Sequence, residues 1–141
     1  MQRVVFLAYG HENVIGSHRT TTELTSEDFL TTQGTCIVGI GANLTLNRLD
    51  QTIKNLAKSG QTKIILRLSA GNHSDEIIGR GSKGLTYSSD LSMVARTSSY
   101  ECDRTLMVLA DKAAANLDRK LVSQMQISGN PIECEIEFVS E

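Results

Sequence analysis

Tryptophan is absent from this sequence, proline occurs once, and cysteine occurs only three times in 141 residues. The three cysteines, Cys36, Cys102 and Cys134, are odd in number and widely spaced, so they do not form the disulfide framework of a small secreted domain. A chain of this length can bury a full hydrophobic core without such crosslinks. We therefore predict one folded domain over residues 1–141, located in the reducing cytoplasm.

An excess of charge of one sign is also missing. The 14 Lys and Arg residues nearly balance the 16 Asp and Glu residues, which gives a net charge of −2. Because nonspecific nucleic-acid binding depends on accumulated Lys and Arg, this balance excludes a protein that coats DNA but not a local basic patch. No apolar run approaches the roughly 20 residues of a membrane-spanning helix, and the apolar N-terminal stretch is too short for a signal sequence. We expect no membrane partner.

Hydrophobic periodicity predicts an α+β fold with six to eight strands, a largely antiparallel or mixed sheet and two main helices. The last strand has the clearest pattern, because Ile132, Cys134, Ile136 and Phe138 alternate with Glu133, Glu135 and Glu137. Further strands are predicted at 4–9, 18–26, 35–45, 64–69, 75–79 and 91–100. We expect the first two to form a hairpin through Gly10–Ser17. No internal repeat is visible in the sequence.

Apolar residues at three- and four-residue spacing predict the two helices. The first follows Thr45, placed to cap it, and ends at Gly60. For the second, Asp111 is placed to cap a helix that runs from Lys112 to Met125. The segment 105–110 fits either a strand or the beginning of this second helix.

One glycine-rich phrase, Gly79-Arg80-Gly81-Ser82-Lys83-Gly84, has the glycine spacing of a dinucleotide-binding loop. That function requires a helix directly after the glycines, whose N-terminal amides hold a pyrophosphate. The residues that follow predict a turn and a strand instead. We therefore predict a flexible hairpin tip and no nucleotide-binding fold, although Arg80 and Lys83 remain available to an anion.

A polar turn near the N-terminus, GHENVIGSH, contains two of the three histidines, His11 and His18, with Asn13 between them. Imidazole suits proton transfer near neutral pH and metal binding. A zinc site needs three or four ligands, and the others would have to come from distant parts of the chain. We therefore predict no metal site here. The alternative to a functional role is a pair of ordinary turn histidines.

A second polar phrase runs from Glu101 to Ala113 and frames an apolar run with charged residues. Arg104 can bind a carboxylate or phosphate with two parallel hydrogen bonds, and Lys112 can add a point charge. Asp111 belongs to the same phrase. The alternative is that Asp111 is a helix cap and Arg104 a member of a surface ion pair.

The phrases GHENVIGSHRTTTELT, LTTQGTCIVGIGAN and RTLMVLADKAAANLDRKLV together resemble the archaeal family catalogued as domain of unknown function 371. The resemblance spans nearly the whole chain and implies a compact cytosolic single-domain protein, without implying an activity. Thr35 stands where the family pattern implies an acidic residue, so no carboxylate role is expected there. The family pattern falls on His11, Asn13, His18, Gly34, Cys36, Arg104, Asp111 and Lys112.

These residues support three hypotheses. In the first, a pocket binds a small anionic ligand, such as a nucleotide or an RNA end, and is lined by His11, Asn13, His18, Arg104, Asp111 and Lys112. In the second, the protein is an enzyme in which His11 or His18 acts as general base, with Cys36 or Cys102 nearby. In the third, the glutamate stripe of the last strand or a sheet edge meets a basic or identical partner, which leaves homo-oligomerisation open. The sequence does not specify a cofactor.

Overall fold

The computed structural model describes residues 1–141 and contains eight strands and two α-helices. This confirms the predicted α+β fold. The elements are β1 (Gln2–Tyr9), β2 (Thr21–Thr25), β3 (Ile37–Gly39), α1 (Gln51–Ala57), β4 (Thr62–Ala70), β5 (His73–Arg80), β6 (Ser92–Arg96), β7 (Thr105–Met107), α2 (Arg119–Met125) and β8 (Pro131–Ser140). Short 3₁₀ turns, Leu46–Arg48 and Ala114–Asn116, precede the two helices.

The strands form two four-stranded sheets that enclose a single hydrophobic core of 34 buried residues. Sheet A has the order β1-β8-β4-β5 and is antiparallel throughout. Sheet B has the order β3-β2-β6-β7, in which an antiparallel central pair is flanked by parallel neighbours. Isolated bridges from Tyr9 to Ile40 and from Arg80 to Val108 join the sheet edges. The two sheets are therefore joined at both edges by a single bridge and form a partly open barrel.

The first strand does not form the predicted hairpin with the second. β1 pairs with β8 instead, with Val4 opposite Ile136, while β2 lies in the other sheet. The chain after β1 instead passes close to the end of α2. A Cβ on Gly10 would lie 2.6 Å from the Met125 carbonyl oxygen and would also overlap that of Ile127. Glycine is therefore required where the chain leaves the sheet.

An internal repeat, not visible in the sequence, is present in the structure. We call residues 2–70 the first half and residues 73–140 the second half, because β1–β4 and β5–β8 follow the same element order and occupy equivalent places in both sheets. Gly16 and Tyr87 occupy equivalent turns, with φ of 62° and 51°. Such unlike side chains at one backbone position explain why the sequence conceals the repeat.

Both helices begin later than predicted, because each predicted helix is divided into a 3₁₀ turn and a shorter α-helix. Asp50 caps α1 through Ile53 N–H, and Asp118 caps α2 through the N–H groups of Lys120 and Leu121. Thr45 makes no capping bond. Residues 105–107 of the ambiguous segment form strand β7. Neither α-helix is long and apolar enough to cross a membrane.

Candidate functional site

One histidine of the N-terminal turn is held at the end of α2, and the other at the 3₁₀ turn that precedes this helix. The N–H of His11 donates to the Met125 carbonyl at 2.9 Å, whereas the His18 carbonyl accepts from the N–H of Ala115 at 2.9 Å. The helix between these contacts has seven residues and is therefore about 10 Å long. The segment thus lies along α2 rather than forming one compact turn, so its two imidazoles belong to different surroundings.

Both imidazoles use Nδ1 as a hydrogen-bond acceptor. The Nδ1 atom of His18 accepts the N–H groups of Thr20 and Thr21, both at 3.2 Å. The Nδ1 atom of His11 accepts the N–H of Asn13 at 2.9 Å. A neutral imidazole with Nδ1 occupied in this way carries its proton on Nε2. Each ring therefore has an Nε2–H that can donate to a ligand.

Asn13 has a local structural role. Its side-chain amide donates to the Leu30 carbonyl at 2.8 Å and so ties the N-terminal segment to the loop after β2. Asn13 and His11 are both half-buried. No side-chain hydrogen bond or ion pair joins either of them to the Arg104–Lys112 segment.

Asp111 and Lys112 are engaged at the edge of β5. Asp111 Oδ1 accepts the N–H of Ile78 at 2.9 Å, and Lys112 forms an ion pair with Asp75. Burial alone would raise the pKa of Asp75. The hydrogen bonds from Lys112 and from the N–H groups of Asp118 and Glu76 outweigh it and lower this pKa. The Lys112 ammonium is therefore neutralised within the protein.

Arg104 lies on a different part of the surface, at the beginning of β7. It is exposed, and its carbonyl accepts the N–H of Val94 at 2.8 Å. The next residue, Thr105, is bonded through its hydroxyl to the Nε of Arg96 at 2.9 Å. Because Met93 and Ala95 of the same strand are in the core, Arg96 lies on the outer side of sheet B.

Arg96 is held in place by several neighbours. Its Nη2 donates to the Cys102 sulfur at 3.4 Å, and its guanidinium carbon lies 4.9 Å from the centre of the Tyr100 ring. In the sheet register Arg96 is the partner of Thr21, whose hydroxyl is 3.0 Å from His18 Nδ1. We call this surface the sheet B face; its polar residues are His18, Thr21, Glu23, Arg96, Cys102 and Thr105. Arg19 and Arg104 are exposed and lie next to it in the sequence.

Arg96 and the neighbouring Arg19 and Arg104 differ electrostatically from the arginines of sheet A. Arg3, Arg67 and Arg80 of sheet A each contact a carboxylate, at 3.5, 2.7 and 2.5 Å. None of the seven ion pairs of the structure involves Arg19, Arg96 or Arg104. These three guanidinium groups therefore have no carboxylate within ion-pair distance, although the Glu23 carboxylate lies on the same side of β2 as Thr21.

The thiols of Cys36 and Cys102 flank this face and have opposite properties. Burial, followed by the charge of Glu23 and a hydrogen bond to it, raises the pKa of Cys36 to about 11. Partial burial of Cys102 would also raise its pKa, but hydrogen bonds from Thr105, the Arg104 backbone and Arg96 lower it. Neither sulfur is hydrogen-bonded to a histidine, which a thiol nucleophile with an imidazole base requires.

A groove of about 1070 Å³ crosses the outer side of sheet A at the opposite side of the barrel. One wall is formed by Val5, Leu7 and Leu44, and Arg67 lies at its centre. None of the residues predicted as a ligand site lines this groove.

Thr21, Arg96 and Thr105 of the sheet B face, and Tyr100 beside Arg96, were not among the predicted site residues. A signal for Arg96 exists in the sequence, because the alternation of Met93 and Ala95 within the predicted strand places Arg96 on the opposite side. Its partner Thr105 gives no such signal, since the contact depends on the pairing of β6 with β7.

Comparison with known proteins gives two matches. A family model described as "Domain of unknown function (DUF371)" matches residues 6–139. The chain is also similar to the "Uncharacterized protein MJ0206" of Methanocaldococcus jannaschii, with 38% identity over 122 residues that cover 86% of this chain and 90% of the relative.

Proposed function

The chain belongs to the DUF371 family, whose description names no activity, and we propose from the structure that it binds a small anionic ligand on the sheet B face. This proposal rests on the surroundings of the Arg96 side chain. Its guanidinium is fixed by Thr105 and Cys102, yet it has no carboxylate partner. A guanidinium that is held in place and has no carboxylate partner can bind a phosphate or a carboxylate with two parallel hydrogen bonds.

Neighbouring groups support an anionic ligand. Arg104 is exposed beside Thr105, and Arg19 is exposed beside Thr20, whose carbonyl accepts the N–H of Thr97 at 2.9 Å. His18 adds an Nε2–H donor from the same side. Phosphate is the best match because its oxygens can accept from several such donors at once. The ligand class is a phosphate-bearing molecule such as a nucleotide or an RNA end.

An enzyme with His11 or His18 as general base is the less well supported alternative. A neutral imidazole can accept a proton only at its unprotonated nitrogen. In both residues that nitrogen, Nδ1, already accepts backbone N–H groups. The free Nε2–H suits hydrogen-bond donation to an anion better than proton abstraction.

The three cysteines are free thiols, which agrees with the reducing cytoplasm expected from the sequence. The residues that would contact the ligand are Arg19, His18, Arg96 and Arg104, with Thr21 and Thr105 supporting them. His11, Asn13, Asp111 and Lys112 of the predicted pocket would lie outside it.

Isothermal titration calorimetry with inorganic pyrophosphate and adenosine monophosphate at low ionic strength tests the proposal. We expect Arg96→Ala and Arg104→Ala each to weaken binding about tenfold, the usual effect of losing a hydrogen bond to a charged group. Arg3→Ala is the matched control, because it removes the same charge from sheet A, where Glu135 already compensates it.

The proposal also predicts a difference between two substitutions at one position. Arg96→Lys keeps the charge but loses the planar fork, so it should restore only part of the affinity. If pyrophosphate binding were absent in the unchanged protein, or equal in the Arg96, Arg104 and Arg3 variants, the sheet B face would not be an anion site. Thermal denaturation of each variant checks that the fold is intact.

A further inference from the structure

The groove on sheet A differs chemically from the sheet B face. Four acidic residues, Asp75, Glu76, Glu133 and Glu135, and one arginine, Arg67, line the groove. Lys112 pairs with Asp75 and Arg3 with Glu135 from outside it. The Arg67 guanidinium is already shared among Glu76, Glu135 and Glu137. Glu133 is exposed and takes part in no ion pair. The groove is therefore suited to a cation and repels an anion.

The groove also has an apolar wall, which comes from the first half of the chain. Val5 is 68% exposed, and Leu7 and Leu44 lie beside it. In the repeat, Glu76 of the second half takes the place of Val5. One side of the groove is thus apolar and the other acidic. Side chains of Lys and Arg match such a surface, because their aliphatic stems cover apolar groups while their charges reach carboxylates.

An unpaired strand edge borders the apolar wall. Leu7 and Tyr9 use their N–H and C=O groups on the side of β1 that faces away from β8, bonding Asn43 and Ile40. By the alternation of an antiparallel strand, Arg3 and Val5 direct theirs to the same side. No strand covers that edge, and no hydrogen bond reaches them there. Unpaired edge groups of this kind accept an added strand.

We propose that the groove and the free edge of β1 together bind an extended, basic segment of a partner protein. Its backbone pairs with Arg3 and Val5, its basic side chains reach Glu133 and the neighbouring carboxylates, and its aliphatic groups cover Val5. Charge complementarity selects this occupant over nucleic acid, which the carboxylates repel. A second copy of the chain fits less well, because the edge it would add carries the same acidic groove.

Fluorescence anisotropy with a labelled peptide, acetyl-Arg-Leu-Arg-Leu-Arg-amide, tests this proposal. We expect saturable binding that weakens with added salt, and no binding of the version with Glu in place of Arg. Glu133→Lys should weaken binding at least about tenfold. Glu12→Lys is the matched control, because Glu12 is an exposed glutamate outside the groove and the change in net charge is the same.

A second peptide tests the strand edge. Methylation of its alternate backbone nitrogens removes the N–H donors that pair with β1, so binding should be lost although every side chain is kept. Equal binding of the methylated peptide, or equal weakening by Glu133→Lys and Glu12→Lys, would overturn the proposal. So would a dimer in light scattering that Glu133→Lys dissociates, since a second copy would then occupy the groove.

Discussion

Equivalent positions of the two halves are linked by the same hydrogen bonds through different side chains. In the first half, Leu7 donates its N–H to Asn43 Oδ1 and accepts from the Asn43 N–H. In the second half, Ile78 makes the same two bonds with Asp111. The two side-chain oxygens occupy equivalent positions, but that of Asn43 belongs to a neutral amide and that of Asp111 to a carboxylate. Asp111, predicted as a ligand or helix cap, therefore has a structural counterpart in the other half.

The comparison is most informative at His18. Its counterpart in the second half is Ser89, whose Oγ accepts the N–H groups of Leu91 and Ser92 at 3.1 and 3.3 Å. The carbonyls of both residues also accept an N–H from the 3₁₀ region of the other half. A serine is therefore sufficient for this turn. The imidazole of His18 adds an outward donor that the turn does not require, which supports a role in binding.

The largest expected difference between the halves is at the turn occupied by Gly16 and Tyr87. Tyr87 is fully buried, and its hydroxyl donates to the Leu106 carbonyl at 2.6 Å. Tyr87→Ala should lower the free energy of unfolding by about 3–5 kcal/mol through the cavity it creates. Gly16→Ala should cost about 1–2 kcal/mol, because it forces a Cβ into a left-handed conformation. That Cβ would also lie 3.2 Å from Val122 Cγ1.

Urea denaturation of both variants measures this difference. The m-value should stay unchanged if only stability is affected. Equal losses at the two positions would show that Tyr87 does not fill the core of the second half.

The next largest effect should be the same in both halves. A Cβ on Gly81 would overlap the carbonyl oxygens of Ala57 and Ser59, as one on Gly10 would overlap that of Ile127. We expect Gly10→Ala and Gly81→Ala each to cost about 1–3 kcal/mol by overpacking against backbone. At Gly60 the nearest atom would be 3.9 Å from the Cβ. Gly60→Ala should be nearly neutral and serves as control in the same denaturation series.

The packing of Gly81 shows that the predicted flexible hairpin tip is wrong. Gly81 is buried against the end of α1. The GRGSKG segment therefore packs against the backbone of Ala57 and Ser59 at this glycine instead of forming a flexible tip. If Gly81→Ala were as mild as Gly60→Ala, the equivalence of the two halves at this contact would fail.

Helix caps should give a smaller and again equal effect. Asp50 and Asp118 each accept the N–H of a residue in the first turn of their helix. Replacing either with alanine should cost about 1 kcal/mol. Thermal denaturation of Asp50→Ala and Asp118→Ala measures both losses. Thr45, which the sequence wrongly predicts as a cap, instead donates its hydroxyl to Asp90 Oδ1 at 3.2 Å. Unchanged stability of either aspartate variant would contradict the assignment of these caps.

Local patterns in the sequence predict local structure well. The alternation in β8 correctly separates core from surface, and the strands predicted at 64–69 and 75–79 form the β4–β5 hairpin, which turns at Gly71 with φ of 61°. Pairing between distant strands has no local signal. β1 and β8 lie at opposite ends of the chain, and only the assembled barrel brings them together.

The candidate site was predictable only in part for the same reason. His18 and Arg104 are visible as polar residues in short phrases. In the structure His18 contacts Thr21 of the sheet B face, and Arg104 is exposed next to Thr105. Lys112 has the same appearance in the sequence, but Asp75, on another strand, neutralises it. Whether a charge is free or paired depends on partners that tertiary structure alone supplies.

The pair formed by Asp75 and Lys112 gives the halves different pH dependence. Their counterparts in the first half, Val4 and Leu44, do not titrate. The pKa of Asp75 is lowered from its ordinary value of 3.8, so its stabilising contribution is complete above that value and is lost as the pH falls through the folded-state pKa. Asp75→Asn should remove this part of the acid destabilisation, about 1 kcal/mol or less for a partly exposed pair.

The measurement is the free energy of unfolding of both proteins between neutral and acid pH. The two curves should converge as the pH falls below the Asp75 pKa, because both side chains are then neutral. Parallel curves throughout would show that the pair does not contribute through its charge.

The smallest effect in energy concerns the two thiols beside the sheet B face, Cys36 in the first half and Cys102 in the second. Because only the thiolate reacts with iodoacetamide, Cys102 with its lowered pKa should be modified first at neutral pH, and Cys36 with its pKa of about 11 much more slowly. Glu23→Gln removes the charge next to Cys36 and should lower its pKa, while burial keeps it above the ordinary thiol value. Mass spectrometry of timed samples measures both rates. Faster modification of Cys36 than of Cys102 in the unchanged protein would refute the contrast and the guanidinium contact at Arg96 on which it depends.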